Sequence, residues 1–259
     1  MRATLITAWM ICLLMREEMS DMQRIVLQDD NLSFRTREAY KTLRSNIEFS
    51  GKNIRTITIT SCTPNEGKSE VSFELSRSFA QNGNKVLMID ADLRKSVMRE
   101  HLKSGRVRFG LSNYLVGQCS MEEATCATDE QGLDMMLAGP VTPTPSELLN
   151  SDAFTELLAT AREKYDYVIV DSPPLGSVID SAIIGKKCDG TILVMSSGTI
   201  SYRFAQNVQE QLLKAGCRIL GCVLNKVDMD GKKGYYGKYY GKYYGKYYGK
   251  YYGTYGEDK

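Results

Sequence analysis

Hydrophobic positions along the chain follow two different periods. Between residues 33 and 49, apolar Phe34, Tyr40, Leu43 and Ile47 are spaced among charged Arg35, Arg37, Glu38, Lys41 and Arg44, which predicts an amphipathic helix. Beyond it, short β-branched or aliphatic runs at 56–60, 86–89, 133–137, 167–170, 191–195 and 219–224 alternate with helical stretches. Runs that are apolar at successive positions suit strands buried on both faces, as in a parallel sheet covered by helices. The fold class expected is therefore α/β: a doubly wound, mostly parallel sheet with helices on both faces. Residues 139–146 (GPVTPTPS) read as a loop by composition, and 147–164 as a helix.

Composition sharpens this at the two ends. With 259 residues and 42% hydrophobic content the chain can bury a core, which excludes a wholly disordered protein. Of 16 tyrosines, eleven crowd the C-terminus: Tyr235, Tyr236, Tyr239, Tyr240, Tyr243, Tyr244, Tyr247, Tyr248, Tyr251, Tyr252 and Tyr255. Gly237, Gly241, Gly245, Gly249 and Gly253 recur among them every four residues. A helix with such glycines loses about 1 kcal/mol at each relative to alanine, so residues 231–259 are expected to be a disordered, Tyr/Gly/Lys-rich tail. As a coil its mean span would be roughly 30 Å. Seven lysines against two acids give this tail +5, so the rest of the chain carries −3 of the net +2. That balance makes no case for a nucleic-acid partner, and none is expected. Seven scattered cysteines without a C-x-x-C pair read as reduced thiols.

The N-terminus holds an apolar run at 3–15, too short for the roughly 20 residues that cross a bilayer. Residues 1–32 are set apart as an N-terminal extension, read as an upstream start codon or a flexible segment, with Met19 or Met22 as the working start. Residues 33–230 form the expected folded domain.

The candidate chemistry begins where the first sheet run ends. TITIT leads into Ser61-Cys62-Thr63-Pro64-Asn65-Glu66-Gly67-Lys68-Ser69, and a helical pattern follows at once. Strand, loop, Gly-Lys-Ser and helix together are a phosphate-cradling P-loop, in which backbone amides and a helix N-terminus face an anion. Lys68 would reach the β/γ-phosphates and the Ser69 hydroxyl would meet Mg²⁺. The strict spacing wants glycine where Cys62 stands. Two further runs end in acids: VLMID-Ala91-Asp92 brings Asp90 and Asp92, and YVIVD brings Asp171. Carboxylates at the C-terminal ends of parallel strands share the rim where ligands bind in open α/β sheets. Mg²⁺ takes one or two such carboxylates together with phosphates and waters, so Ser69, Asp90, Asp92 and Asp171 are the metal candidates. One of Asp90 and Asp92 is in excess of that need and can accept a proton from an attacking hydroxyl.

Together these motifs resemble the bacterial tyrosine autokinases of capsule and exopolysaccharide synthesis, in the form whose kinase domain is separate from its transmembrane activator. The likeness rests on TPNEGKS, MIDADLR, VIVDSPP and the terminal tyrosine cluster, with EAYKTLRSNI at 38–47 and PSELL at 145–149. It covers nearly all of 33–259. The resemblance implies a P-loop NTPase fold and an ATP- and Mg²⁺-dependent protein-tyrosine kinase. Thr63, Pro64, Asn65, Glu66, Gly67, Lys68, Ser69, Glu70 and Asn225 would contact the nucleotide, with Lys68, Asp90, Asp92 and Asp171 catalytic. It further implies a homo-oligomer in which each tail is phosphorylated by a neighbour, with Glu38, Lys41 and Arg44 at the interface. The implied partners are the transmembrane activator and protein substrates in polysaccharide synthesis. The implied location is cytoplasmic, held at the inner face of the plasma membrane by the activator.

Two other outputs share parts of the pattern. Partitioning and septum-site ATPases have the fold and both acidic motifs, but carry an extra lysine where Thr63 stands and have no tyrosine tail. Asn225-Lys226-Val227-Asp228 reads like the N-K-x-D of GTPases. A strand-end asparagine contacting adenine accounts for the same residues.

Overall fold

The computed structural model of the chain describes residues 22–29 and 31–227. The apolar run at 3–15, the tail tyrosines and Asp228 lie outside the described residues. Within them, nine strands form one sheet in the order β4-β1-β5-β6-β3-β7-β2-β8-β9. The strands are β1 (Gln23–Leu27), β2 (Thr56–Ser61), β3 (Val86–Asp90), β4 (Leu102–Gly105), β5 (Cys126–Ala127), β6 (Leu133–Met136), β7 (Tyr167–Asp171), β8 (Gly190–Ser196) and β9 (Ile219–Asn225). From β6 to β9 every neighbouring pair is parallel. These are the six runs expected from the sequence, and every residue of β2 and β3 is buried.

The alternation along β3 explains why its run is apolar throughout. Val86 and Met88 join a core with Ile57, Ile59, Phe73, Leu75 and Phe79. Leu87 and Ile89 face the other way, into a core with Phe154, Leu157, Leu158 and Ile184. Helices α1 (Phe34–Phe49) and α2 (Lys68–Gln81) supply the first core. The second is built by α3 (Leu111–Leu115), α4 (Met121–Ala124), α5 (Pro145–Asn150), α6 (Asp152–Lys164) and α7 (Asp180–Lys187). Helix α8 (Tyr202–Lys214) closes a smaller third cluster with Val208 and Leu212 against Leu193.

The expectation is revised at the N-terminal stretch and over residues 139–164, and β4 and β5 are additional. The stretch set apart as an extension contributes β1, which pairs with β4 antiparallel and with β5 parallel and buries Ile25 and Leu27. The helix expected over 147–164 is two helices, because Ser151 leaves helical geometry (ψ 162°) and its hydroxyl caps α6 by accepting from Phe154 N–H. Its first turns also extend back to Pro145, a residue whose fixed φ suits a helix start.

The charged stripe on α1 divides. Lys41 and Glu38 form an exposed ion pair at 2.7 Å. Arg44 turns inward, donating from Nη1 to the carbonyl of Ser78 on α2 at 2.6 Å. Among the described residues, no helix is long and apolar enough to cross a membrane.

Candidate functional site

The site lies along the rim where the parallel strands end. Strand β2 delivers the loop 61–67 and α2 begins at Lys68, so the first amide bonded inside the helix is Val71 N–H, to Gly67 O. The amides before it have no intrahelical acceptor, which is the physical basis of anion binding at such a terminus. Gly67 is left-handed (φ 89°), and a Cβ there would stand 2.2 Å from Asn225 Nδ2. Glycine is therefore favoured by the backbone, and any side chain there would displace the Asn225 amide.

The departure at Cys62 is accommodated by direction. Its side chain is fully buried with Leu175, Ala182 and Leu193, away from the rim. Burial and the nearby Glu66 charge push its thiol up to about 12, so it is inert as a nucleophile.

Glu66, expected among nucleotide contacts, is 2% exposed. Its carboxylate accepts from Thr63 N–H at 2.7 Å and from Ser196 N–H, at the end of β8, at 3.1 Å. It braces the loop from behind. Pro64 and Asn65 are exposed, as is Glu70, which lies 3.7 Å from His101 Nε2. Asn225 closes the loop by donating from Nδ2 to Glu66 O at 3.0 Å.

The acids converge with Lys68. Its Nζ donates to Asp92 Oδ2 at 3.2 Å, to Asp171 Oδ2 at 3.5 Å and to Ser69 Oγ at 3.1 Å. Burial alone would lower the lysine, but the charges of Asp171 and Asp92 outweigh it and hold the ammonium above its ordinary value. Ser69 Oγ donates to Asp171 Oδ2 at 2.7 Å, and Ser72 Oγ to Oδ1 at 3.0 Å. Asp90 and Asp171 are register partners at the ends of β3 and β7. Burial pushes both carboxyls above the usual range; the Asp171 charge adds to this at Asp90, while Lys68 and the serines oppose it at Asp171.

Asp90 accepts from Asp92 N–H on Oδ1 and from the Ser96 hydroxyl on Oδ2, and Asp92 accepts from Lys95 N–H on Oδ1 beside Lys68 on Oδ2. Among the described residues no three His, Cys, Asp or Glu side chains form a dedicated metal cage. What the rim offers is an all-oxygen set, Ser69 with the carboxylates, which suits a hard cation shared with phosphates.

Several residues that hold this geometry were not singled out in the sequence. Ser72 follows Ser69 by three positions on α2, a helical spacing that would have pointed to it. Ser96 and Asp180 carry no local signal, and Arg94 and Ser146 lie within MIDADLR and PSELL without any sign that they meet. Arg94 Nε donates to the buried Asp180 at 2.7 Å, and Ser146 Oγ donates to the same carboxylate at 2.6 Å. This cluster ties the MIDADLR and PSELL segments together.

Residues 54–215 match the family described as AAA domain. The chain is 41% identical over 204 residues to the tyrosine-protein kinase CpsD of Streptococcus pneumoniae, covering 77% of this chain and 90% of that one. Among solved structures it is similar to the kinase domain of Escherichia coli tyrosine kinase ETK, with a TM-score of 0.69, 34% identity and coverage of 77% and 80%. The septum site-determining protein MinD of Pyrococcus horikoshii, complexed with Mg-ADP, is more distant: TM-score 0.58, 26% identity, coverage 68% and 72%.

Proposed function

The chain belongs to the bacterial tyrosine-protein kinases, and from that premise we propose that it transfers the γ-phosphoryl group of ATP to tyrosines of its own C-terminal segment, with Mg²⁺, between copies in a homo-oligomer. The observation that carries the reading is the convergence of Lys68 Nζ, Ser69 Oγ, Asp92 and Asp171 within hydrogen-bonding range at the start of α2. A phosphate loop alone would bind nucleotide; the surplus of carboxylates beside it supplies a proton acceptor as well.

Ser69, with Asp171 and one of the β3 acids, would hold Mg²⁺, whose charge when bound offsets that of the phosphates. The loop amides from Asn65 to Ser69 would orient the phosphate chain, and Lys68 would exchange its carboxylate partners for phosphate oxygens. That exchange frees Asp92 Oδ2, which would then take the proton of the incoming tyrosine hydroxyl. Asp92 Oδ1 would keep its bond from Lys95 N–H and Asp90 those from Asp92 N–H and the Ser96 hydroxyl, so Asp92 Oδ2 is the oxygen that changes partner. Asn225, at the loop's edge, would face the adenine.

The biological setting follows from the family. The kinase would act in control of capsular or exopolysaccharide polymerisation and export, recruited to the inner face of the plasma membrane by a transmembrane activator. Glu38, Lys41 and Arg44 would contribute to contacts between copies. The kinase domain would take in β1 and so begin before residue 33, running to 230, with 231–259 as the tail that is phosphorylated.

The partitioning-ATPase alternative is not favoured, since identity is 41% to a tyrosine kinase and 26% to a septum-site protein. The GTPase alternative rests on Asn225-Lys226-Val227-Asp228 alone, of which Asp228 lies outside the described residues, and the relative at 41% identity is a tyrosine kinase. The test is incubation of the full chain with Mg-ATP and the activator's cytoplasmic segment, read by anti-phosphotyrosine signal. Signal from wild type and none from Lys68→Met is expected; signal that persists in Lys68→Met would overturn the assignment.

A further inference from the structure

Among the described residues, two that are not glycine have left-handed backbones: Asn65, with φ 65°, and Lys226, with φ 55°. They are bonded to each other. Lys226 Nζ donates to Asn65 O at 2.7 Å, across 161 positions of sequence. For a residue with a Cβ this backbone region costs roughly 1–2 kcal/mol, and asparagine visits it far more readily than lysine. A lysine held there calls for a structural reason.

The geometry supplies one. Asn225 Oδ1 accepts Lys226 N–H at 2.8 Å, fixing the turn, while Asn225 Nδ2 donates to Glu66 O. Two successive side chains at the end of β9 thus grip two successive carbonyls of the phosphate loop, Asn65 O and Glu66 O. A peptide unit is planar, so fixing a carbonyl fixes the direction of the amide that follows it. Holding Asn65 O aims Glu66 N–H, and holding Glu66 O aims Gly67 N–H. These are amides that a phosphate-cradling loop must direct inward.

We propose that Lys226 is a positioning residue for the nucleotide: it presets the phosphate loop through the Asn65 carbonyl. The proposal rests on the reading that this loop holds a nucleotide. Because coupling between two equilibria is reciprocal, a bound nucleotide would also hold the start of the C-terminal segment against the loop. The catalytic rim and the root of the tyrosine-rich segment would then respond to each other.

The experiment uses the full chain. Mg-ADP affinity is measured by calorimetry, the unfolding midpoint is measured without nucleotide, and KM for ATP and kcat are measured by phosphotyrosine formation. Lys226→Ala is expected to weaken Mg-ADP binding about 5- to 30-fold, as for loss of one charge-assisted bond at an exposed site. KM for ATP should rise in parallel, with kcat within about twofold. Lys226→Arg should restore affinity to within about threefold. Lys226→Gly separates positioning from stability. It should bind as weakly as the alanine variant, yet unfold at or above the wild-type midpoint because glycine relieves the left-handed strain. Affinity of Lys226→Ala within twofold of wild type would overturn the proposal, as would affinities that simply track the unfolding midpoints. A wild-type chain that binds no Mg-ADP overturns the nucleotide reading itself, and this inference with it.

Discussion

Lys68 Nζ lies 3.2 Å from Asp92 Oδ2, so one ion pair bridges the phosphate loop to the segment that follows β3. Both side chains are nearly buried, and neither would sit there without a charged counterpart. The pair gives Asp92 two successive roles, neutralising Lys68 before nucleotide arrives and accepting the hydroxyl proton afterwards. Asp92→Asn should lower kcat by about 10²–10⁴, the usual contribution of a positioned general base. Nucleotide affinity should be kept or improved, because Lys68 is released toward phosphate. A kcat within threefold of wild type, measured by phosphotyrosine formation, would reassign the base.

Gly67 and Asn225 are in steric opposition. Gly67→Ala places a Cβ 2.2 Å from Asn225 Nδ2 and forces a left-handed alanine, so it should weaken Mg-ADP binding more than tenfold and cost about 1–2 kcal/mol of stability. Asn225→Ala removes the clash but not the strain. Part of the loss should therefore be recovered in the double variant, giving a non-additive cycle in both calorimetry and denaturant unfolding. Strict additivity would show that the two residues do not touch.

These contacts mark the limit of what could be read from sequence. The six parallel strands were legible because each leaves a run of β-branched or aliphatic residues, deeply buried in β2, β3 and β7 and still apolar in β9 at the sheet edge. Strands β1, β4 and β5 were not. Ser104 and Gly105 in β4 are exposed, β5 has two residues, and each is a strand only by virtue of its partner. The phosphate loop and strand-end acids were legible because their chemistry is contiguous. The bonds that hold them in place are not contiguous: Glu66 to Ser196 and Arg94 to Asp180 span 130 and 86 positions. Arg44 illustrates the same limit. Its helical spacing put it in line with Glu38 and Lys41, but the packing of α1 on α2 turned it toward Ser78.

Acid sensitivity should trace to Asp189. Burial alone would raise its carboxyl, but the hydrogen bond from Arg162, backbone donations from Thr56 and Arg55, and the Thr56 hydroxyl together hold it below its ordinary value. A depressed folded-state pKa contributes stability that is full above the unfolded value, near pH 4, and is lost as pH falls through the folded value. Asp189→Asn should therefore cost about 1–3 kcal/mol at pH 7 in urea unfolding, from donors left without their charged acceptor. The gap to wild type should narrow as pH falls below about 4. A gap that is constant or widens on acidification would contradict this assignment.

The Arg94–Asp180 pair offers a test of how the rim is held. Asp180 is fully buried at the first turn of α7, and its acceptors are met by Arg94 and Ser146. Arg94 itself is partly exposed, so deleting its charge loses little on its own account. What it leaves behind is a buried carboxylate with one hydroxyl partner, and that is where the cost lies. Arg94→Ala should therefore destabilise by about 2–4 kcal/mol, and Asp180→Asn in the same background should return part of it by removing the stranded charge. Asp92 and Arg94 share one short loop, so the same variant should also shift Asp92 and depress kcat while the double variant recovers stability without full activity. Urea unfolding and phosphotyrosine assays on the two variants would separate these effects. Equal stability of single and double variants would show that Asp180 is not left charged when Arg94 is gone.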